Sequence, residues 1–298
     1  GHHVTAIVRD ISKIAPHPQV RAVAVDAQDS QALAGIIEGH DRVISAYNPG
    51  WTVPDIYDQY LKGASAIVAA SGLKAGIPAF DINASCVSFV TALFQAAALL
   101  QTGVYRRIAI VCAEIASRGL NWQDHESSLI FGDGAAAVIV EQGDGRAACV
   151  AYRLEVHPQG RDLCEIRAGG TRRNPRMGLD EADHYFRMQG KPVFKLASQL
   201  MPAFMQHLFA ELDYKSQNID VVVPHQASAL GLRFLRERLG VRPESVVDLL
   251  AERGNQVSAS MPTALAAAVE TGRLRRGDLA LLIGTGAGLM FGAAVLRF

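Results

Sequence analysis

The chain has 298 residues, 49% of them apolar, with 29 Lys plus Arg balanced by 29 Asp plus Glu. This length can bury a large core, either as one α/β unit or as two domains. Balanced charge gives no reason to expect nucleic acid or an anionic membrane surface as a partner, and no apolar run reaches the roughly 20 residues that span a bilayer. Four cysteines in a chain of this length do not indicate a disulfide framework, so we expect a cytoplasmic protein with reduced thiols.

Apolar runs of strand length alternate with helical patterns along the chain, which predicts an α/β fold. The expected strands are residues 4–8, 42–46, 79–82, 108–113, 135–140, 148–156, 220–223, 279–283 and 293–296. The expected helices are residues 30–38, 54–71, 85–100, 191–212 and 229–239. The polar, Arg-rich stretch 169–183 is expected to be a surface loop.

An internal repeat is the most informative pattern. Residues 91–107 and 263–276 both contain Thr-Ala-Leu, three alanines, Thr-Gly and Arg-Arg in the same order, and each copy leads into a predicted strand. Phe-Gly then precedes a strand of small residues in each copy, at 131–132 and at 291–292. Matches that recur in the same order predict two similar α/β halves, each directing a helix N-terminus towards a shared centre.

Cys86 is the cysteine most suited to chemistry, because it stands at the start of an apolar helix directly after a predicted strand. A helix N-terminus carries partial positive charge and unpaired N–H groups, which favour thiolate over thiol. A free cysteine is more often an inert packing residue, and this segment alone leaves both interpretations open. Cys112, Cys149 and Cys164 lie in strand-like runs, where packing is the expected role.

Two further residues occupy positions where α/β folds place functional groups. His225 follows an apolar strand at a strand-to-helix junction. Asn255 lies in a Gly-containing turn before the second repeat helix, where its place in the repeat is close to that of Cys86 in the first copy. The Gly-rich segment 284–288 would let backbone N–H groups approach a bound oxygen. No pair of histidines has metal-site spacing, so we expect no metal site.

Six segments carry a more specific pattern. They are residues 81–86 (DINASC), 131–135 (FGDGA), 188–195 (MQGKPVFK), 224–227 (PHQA), 254–255 (GN) and 286–288 (GAG). In this order they resemble the β-ketoacyl-acyl carrier protein synthase III family of the thiolase superfamily, over about residues 77–298. The resemblance implies the thiolase-like, duplicated five-layer α/β/α/β/α fold.

The resemblance also implies a reaction and roles for particular residues. Cys86 would be the acylated nucleophile, and His225 and Asn255 would promote decarboxylation and stabilise the enolate. The backbone N–H groups of Cys86 and Ala287 would form the oxyanion hole. Candidates for substrate binding are Phe194, Ser228, Gly286 and Gly288. The implied activity is the condensation of an acyl-CoA with malonyl-acyl carrier protein in fatty acid or polyketide-type biosynthesis, by a homodimer that needs no cofactor.

Two residues depart from the pattern of that family. Ser88 stands where a glycine is usual, two positions after the nucleophile, and is expected to narrow the pocket. Ser228 stands where an asparagine is usual, three positions after the histidine, and removes an amide that helps to organise the site.

The first 76 residues resemble a different family. Residues 1–10, 39–46 and 66–70 look like an interior piece of an atypical short-chain dehydrogenase, with a Rossmann-type NAD(P)-binding fold. The Gly-rich phosphate loop of such a domain is absent, so no helix N-terminus would receive a pyrophosphate, and we expect no bound cofactor although Arg9 could contact an NADP phosphate. We therefore expect three parts, at 1–76, 77–150 and 151–298.

Three alternative functions stay open. The order Cys, His, Asn also occurs in papain-like peptidases, but no Trp follows Cys86. An NAD(P)-binding module built on the first 76 residues is a second alternative. An inactive fusion, or a non-catalytic subunit of the thiolase fold, is the third.

Overall fold

The computed structural model describes residues 4–8, 20–24, 45–48, 64–65, 67–69 and 76–298, apart from 144, 170–172, 174–175, 177 and 211. The predicted helix at 30–38, most of the helix at 54–71, and Arg9 lie outside the described residues. Among those that are described, no helix is both long and apolar enough to cross a bilayer.

The described elements alternate as the sequence predicts. The strands are β1 (Val4–Val8), β2 (Val20–Ala24), β3 (Ser45–Asn48), β4 (Arg107–Glu114), β5 (Gly134–Glu141), β6 (Ala148–Val156), β7 (Cys164–Glu165), β8 (Arg187–Met188), β9 (Val221–Pro224), β10 (Leu279–Gly286) and β11 (Met290–Arg297). The α-helices are α1 (Ser88–Gln101), α2 (His125–Ser128), α3 (Gly190–Phe209), α4 (Ala229–Arg238), α5 (Leu250–Arg253) and α6 (Ser260–Glu270). Short 3-10 turns at Ser85–Val87 and Val257–Ala259 run directly into α1 and α6.

The two larger sheets repeat one arrangement. In the first sheet the order is β3-β4-β5, with β3 parallel and β5 antiparallel to β4. In the second sheet β9 lies parallel and β11 antiparallel to β10, and β6 is added beyond β11. The helix, strand and returning strand of each half therefore follow the same path, as the internal repeat predicts.

Helices α1 and α6 lie between the two sheets and form the central layer. Their apolar residues join side chains of β4, β9 and β10 in one buried cluster. On the far side of the second sheet, α3 and α4 pack against the other face of the same strands. In β10, Ala280 and Leu282 face the central helices while Leu281 and Ile283 face α3, so both faces are buried. Four successive layers of a five-layer arrangement can thus be traced in the described part of the chain.

Some sequence predictions differ from the structure. Residues 77–84 have no regular secondary structure, so the strand predicted at 79–82 is wrong. A strand is defined by hydrogen bonds to a neighbouring strand, and residues 79–82 pair with none of the strands in the described part of the chain. The sequence did not predict β2, and β10 continues through Gly286, beyond its predicted end, because residues 284–286 pair with residues 290–292 of β11.

Glycines permit the close contact between α1 and the second sheet. Gly284 and Gly292 face each other across β10 and β11. A Cβ added at Gly292 would lie 2.9 Å from Val87 Cβ and 3.0 Å from Val90 Cγ1. The turn and helix that follow Cys86 can therefore pack directly on the sheet backbone.

The substitution Gly292→Ala tests this contact. We expect it to lower the free energy of unfolding by about 1–3 kcal/mol, because the added methyl overpacks a buried interface. Gly231→Ala in α4 is the matched control, since its new Cβ would meet only Ser228 Oγ at 3.4 Å and alanine favours helix. Urea unfolding measures both variants, and equal stabilities would contradict the proposed close contact.

Candidate active site

A cavity of about 810 Å³ lies where the carboxyl ends of β4, β9 and β10 meet the turn before α1. Cys86, His225 and Asn255, which stand far apart in the sequence, all line it. Most of its wall consists of apolar side chains. Its size and character are those of a pocket for a small, largely apolar ligand.

Cys86 sits in a backbone turn that is fixed by side chains. Ser85 has a positive φ of 52°, which is uncommon for a residue other than glycine. Its N–H donates to Asn83 Oδ1 at 3.0 Å. Ser88 Oγ accepts from Ala84 N–H at 2.8 Å and donates to Ser85 O at 2.6 Å. Ser88 borders the cavity. It stands where a glycine was expected, and its hydroxyl holds the turn through these two hydrogen bonds.

The turn before α6 repeats this construction. Val257 has a φ of 50°, and its N–H donates to Asn255 Oδ1 at 2.9 Å. Ser260 Oγ accepts from Gln256 N–H at 2.9 Å. Each bond has its counterpart in the first turn at the same spacing, so the duplication extends to individual hydrogen bonds.

The correspondence places Ser258 in the second turn where Cys86 stands in the first. Ser258 is buried, and its N–H and Oγ donate to one oxygen of Glu114 at 3.3 Å and 2.5 Å. Glu114 ends β4 and borders the cavity. Sequence reasoning missed this pair. Two signals could have indicated it: a lone carboxylate at the end of an apolar strand, and the same spacing from Asn to Ser in both turns.

Burial governs the ionisation of Cys86. It raises the pKa of the Cys86 thiol to about 12, while the hydrogen bond from Ser85 acts in the opposite direction and Glu114 adds a further increase. The expectation that the helix N-terminus would favour a thiolate is therefore wrong for the isolated chain, because the removal of water outweighs it. The thiol is the resting form.

His225 comes directly after β9 and is held by the neighbouring strand. Its N–H donates to Ile283 O at 2.8 Å, and a Cβ at Gly284 would lie only 2.7 Å from His225 Cβ. Burial lowers the pKa of the imidazole to about 4, so the ring is neutral at pH 7. Its Nδ1 is buried without a hydrogen-bond partner.

Asn255 is anchored on both sides of its backbone. Its N–H donates to Ile130 O at 2.7 Å, and its carbonyl accepts from Gly132 N–H at 3.1 Å. Because Asn255 Oδ1 accepts from the N–H of Val257, the side-chain NH₂ is the group left to face the cavity. The structure therefore presents a donor, not an acceptor, at this point of the wall.

The end of β10 brings backbone donors to the turn that carries Cys86. A Cβ at Gly286 would lie 3.1 Å from Ala84 O and 3.4 Å from Cys86 N, so this approach leaves little room for a side chain. Ala287 N–H donates to Ser85 Oγ at 3.3 Å. Gly288 does not border the cavity: the chain turns there with a φ of 133°, and a Cβ would point at Met290. The expectation that Gly288 contacts substrate is therefore not supported.

Phe194 and Ser228 both border the cavity. Phe194 meets Phe234 edge to face, with ring centroids 6.0 Å apart. Ser228 Oγ accepts from Gly231 N–H at 3.1 Å and caps α4. The hydroxyl that stands where an asparagine was expected therefore serves the helix end.

The duplicated, layered fold with its cavity at the strand ends defines the thiolase class of condensing enzymes. Family models of 3-oxoacyl-[acyl-carrier-protein] synthase III match residues 80–158, and for its C-terminal part residues 209–298. A synthase III from Acidiphilium cryptum is 36% identical over 79% of this chain and 72% of its own length. The crystal structure of the Thermus thermophilus synthase III is 33% identical, with a TM-score of 0.74 over 87% of this chain and 77% of that one. The chain belongs to the β-ketoacyl-[acyl-carrier-protein] synthase III family, whose members are condensing acyltransferases.

The N-terminal part has two relationships. A family model described as NAD(P)H-binding matches residues 1–117, which confirms the resemblance predicted for that part. A synthase III from Coxiella burnetii is 32% identical over 292 residues, covering 97% of this chain and 88% of its own length. That alignment also reaches into the first 76 residues, and β3 joins them to the first sheet by parallel pairing with β4.

The buried carboxyl of Glu114 makes stability depend on pH. Burial raises its pKa to about 8 from 4.5, so the folded chain binds more protons than the unfolded chain between these values. Stability contributed by this group therefore falls as pH rises from 4.5 to 8. We expect Glu114→Gln to lose less stability than the parent between pH 5 and pH 8.5 in urea unfolding. Glu141→Gln, at an exposed carboxylate, should keep the parent's dependence; identical behaviour of both variants would contradict the assignment.

Proposed function

We propose that this chain condenses an acyl-CoA with malonyl-acyl carrier protein through an acyl-Cys86 intermediate. The observation that carries the proposal is the single cavity lined by Cys86, His225 and Asn255. Support comes from the relatives, which are named β-ketoacyl-[acyl-carrier-protein] synthase III. The apolar wall suits the acyl chain, with Phe194 and the backbone at Gly286 and Ser228 beside it.

Acylation is the first step of the proposed reaction. Cys86 Sγ attacks the thioester carbonyl of acyl-CoA, a new S–C bond forms, and the bond to the CoA sulfur breaks. The proton lost by the Cys86 thiol is balanced by the proton that the departing CoA thiolate takes up. Negative charge on the carbonyl oxygen is met by the N–H groups of Cys86 and Ala287, which need no reorganisation.

Condensation is the second step. The malonyl carboxylate leaves as CO₂, and its electron pair becomes an enolate on the thioester. The neutral His225 ring and the NH₂ group of Asn255 donate hydrogen bonds to the enolate oxygen. The enolate carbon then attacks the acyl carbonyl, a C–C bond forms, and the Cys86 S–C bond breaks. The released Cys86 thiolate takes up one proton from solvent and returns to the resting thiol.

Neutral His225 fits this role better than a charged one. A neutral imidazole can donate a hydrogen bond to the forming enolate, whereas an imidazolium would bind the malonyl carboxylate and resist its loss. The pKa of His225, lowered to about 4 by burial, keeps the ring neutral across the physiological range. The proposed steps need no cofactor, since the thioesters and the carboxylate supply all electrons.

The setting of the enzyme forms part of the same proposal. A nucleophilic thiol and CoA substrates suit a reducing, cytoplasmic compartment. Three parts are proposed along the chain, at 1–76, at 77–150 with Cys86, and at 151–298 with His225 and Asn255. The N-terminal part serves as scaffold for the first sheet, through the pairing of β3 with β4.

Three variants separate the two steps. Cys86→Ala should abolish acylation, because no other group holds the acyl intermediate. His225→Ala and Asn255→Asp should still be acylated but condense about 10²–10³-fold more slowly, since the enolate loses a donor. Aspartate is preferred to alanine at 255 because it keeps the acceptor for Val257 N–H. Intact mass spectrometry measures acylation, and product formation measures condensation.

Two results would contradict the assignment. Full condensation by Asn255→Asp would remove Asn255 from the site. Absence of acylation in the folded parent would favour the inactive-fusion alternative. Asn83→Asp, at the equivalent position of the first turn, is the matched control, and its condensation should fall less than that of Asn255→Asp.

A homodimer is proposed from the likeness of the chain to its family. β5 pairs with β4 and is also contacted by β1, yet Ile139 on β5 keeps 46% of its surface exposed. We propose that this apolar side chain packs against a second copy of the chain. We expect a dimer mass in sedimentation at micromolar concentration; Ile139→Lys should weaken it, whereas the mass of one chain for the parent would contradict the dimer.

A further inference from the structure

The hydroxyl of Ser85 lies between the two groups that the acylation step uses. Ser85 Oγ donates to Cys86 Sγ at 3.8 Å and accepts from Ala287 N–H at 3.3 Å. The hydroxyl is thus in contact with the nucleophile and also occupies a backbone donor of the proposed oxyanion hole.

This position is fixed by the backbone. The N–H of Ser85 is bound by Asn83 Oδ1, and its carbonyl is bound by Ser88 Oγ. With both backbone groups held at a φ of 52°, the side chain is directed to Cys86 and Ala287. Only rotation about the Cα–Cβ bond remains free.

The second half shows that the turn itself does not require this hydroxyl. Val257 occupies the equivalent position before α6, with a φ of 50° and the same hydrogen bond to an asparagine. A residue without a hydroxyl therefore builds the same backbone. The turn therefore does not need the Ser85 hydroxyl, which is free to take part in the reaction.

We propose that Ser85 is a further residue of the acylation machinery. In the resting chain its hydroxyl hydrogen-bonds both the Cys86 sulfur and the Ala287 N–H, and it releases the Ala287 N–H when the thioester oxygen binds. The proposal rests on the proposed function. While it donates to sulfur, the hydroxyl stabilises the thiolate as it forms, against the effect of burial. As the carbonyl oxygen gains charge, it replaces Ser85 Oγ on the backbone donor.

The two contacts have opposite kinetic effects, which makes the proposal testable with two reagents. Alkylation of Cys86 by iodoacetamide needs the thiolate but no oxyanion hole. Acylation by acyl-CoA needs both. Loss of the hydroxyl should slow alkylation, because the forming Cys86 thiolate loses a hydrogen-bond donor. It should slow acylation less, because Ser85 Oγ no longer has to leave the Ala287 N–H before the thioester oxygen can bind there.

The experiment compares Ser85→Ala with the parent chain. We expect alkylation of Cys86, followed by peptide mass spectrometry, to slow at least about threefold at pH 8, and its rate profile to move to higher pH. The ratio of the acylation rate to the alkylation rate should rise at least about threefold. Ser85→Thr keeps the hydroxyl and should restore the parent ratio, because Val257 shows that the turn accepts a β-branched residue.

Ser216→Ala serves as the control, since Ser216 does not border the cavity and its Oγ donates to Gly240 O. It should change neither rate. Equal slowing of both reactions in Ser85→Ala would mean only a displaced Cys86 and would overturn the proposal, as would no change in either. If Cys86 of the parent is alkylated but never acylated, the proposed function is wrong and the role of Ser85 falls with it.

Discussion

The site depends on how closely β10 and β11 approach the turn that carries Cys86. Side chains at Gly284 or Gly292 would collide with His225 or Val87, and one at Gly286 would crowd the backbone at Ala84. The absence of side chains at these points lets a strand end lie against the turn that carries Cys86. The backbone N–H groups of Cys86 and Ala287, which come from opposite halves, can then point at one substrate oxygen. The close packing of the second sheet on α1 and its preceding turn is therefore also what brings these two donors together.

Burial then determines the protonation states of the groups in the site. It raises the pKa of Cys86 and of Glu114 and lowers that of His225, so each group is driven towards its neutral form. These three groups therefore offer no fixed positive charge to a reacting anion, although Lys191 also borders the cavity. Charge that develops on substrate oxygens near Cys86 can be met by N–H donors, which act more strongly in a buried site than in water.

The sequence predicts those parts of the structure that arise from local patterns. Long apolar runs predict β4, β6 and β9, and the repeated segments predict two halves with the same topology, because both signals are contained in neighbouring residues. The motif resemblance indicates Cys86, His225 and Asn255. The strand at 79–82 was predicted wrongly, since an extended segment becomes a strand only if it pairs with a neighbour, and local sequence does not show whether it does.

Contacts across the chain decide what the sequence could not show. Ser85 is far in sequence from Ala287, and Glu114 is far from Ser258, so neither pairing is visible without the fold. The cost of burial at Cys86 likewise exceeds what its position at a helix start suggests. Gly288 resembles Gly286 in sequence, yet only Gly286 borders the cavity.

The turns before α1 and α6 share one hydrogen-bonded frame but carry different functional side chains. Both use an asparagine, a residue with positive φ and a serine in the same places, yet one presents a thiol and the other a buried hydroxyl bound to a carboxylate. One backbone frame can therefore support different side-chain chemistry in the two halves. Asn255 contributes to both: its Oδ1 accepts from Val257 N–H in the frame, and its NH₂ group faces the cavity. A substitution at Asn255 would therefore disturb the turn and the cavity wall together, unless the new side chain keeps the acceptor for Val257 N–H.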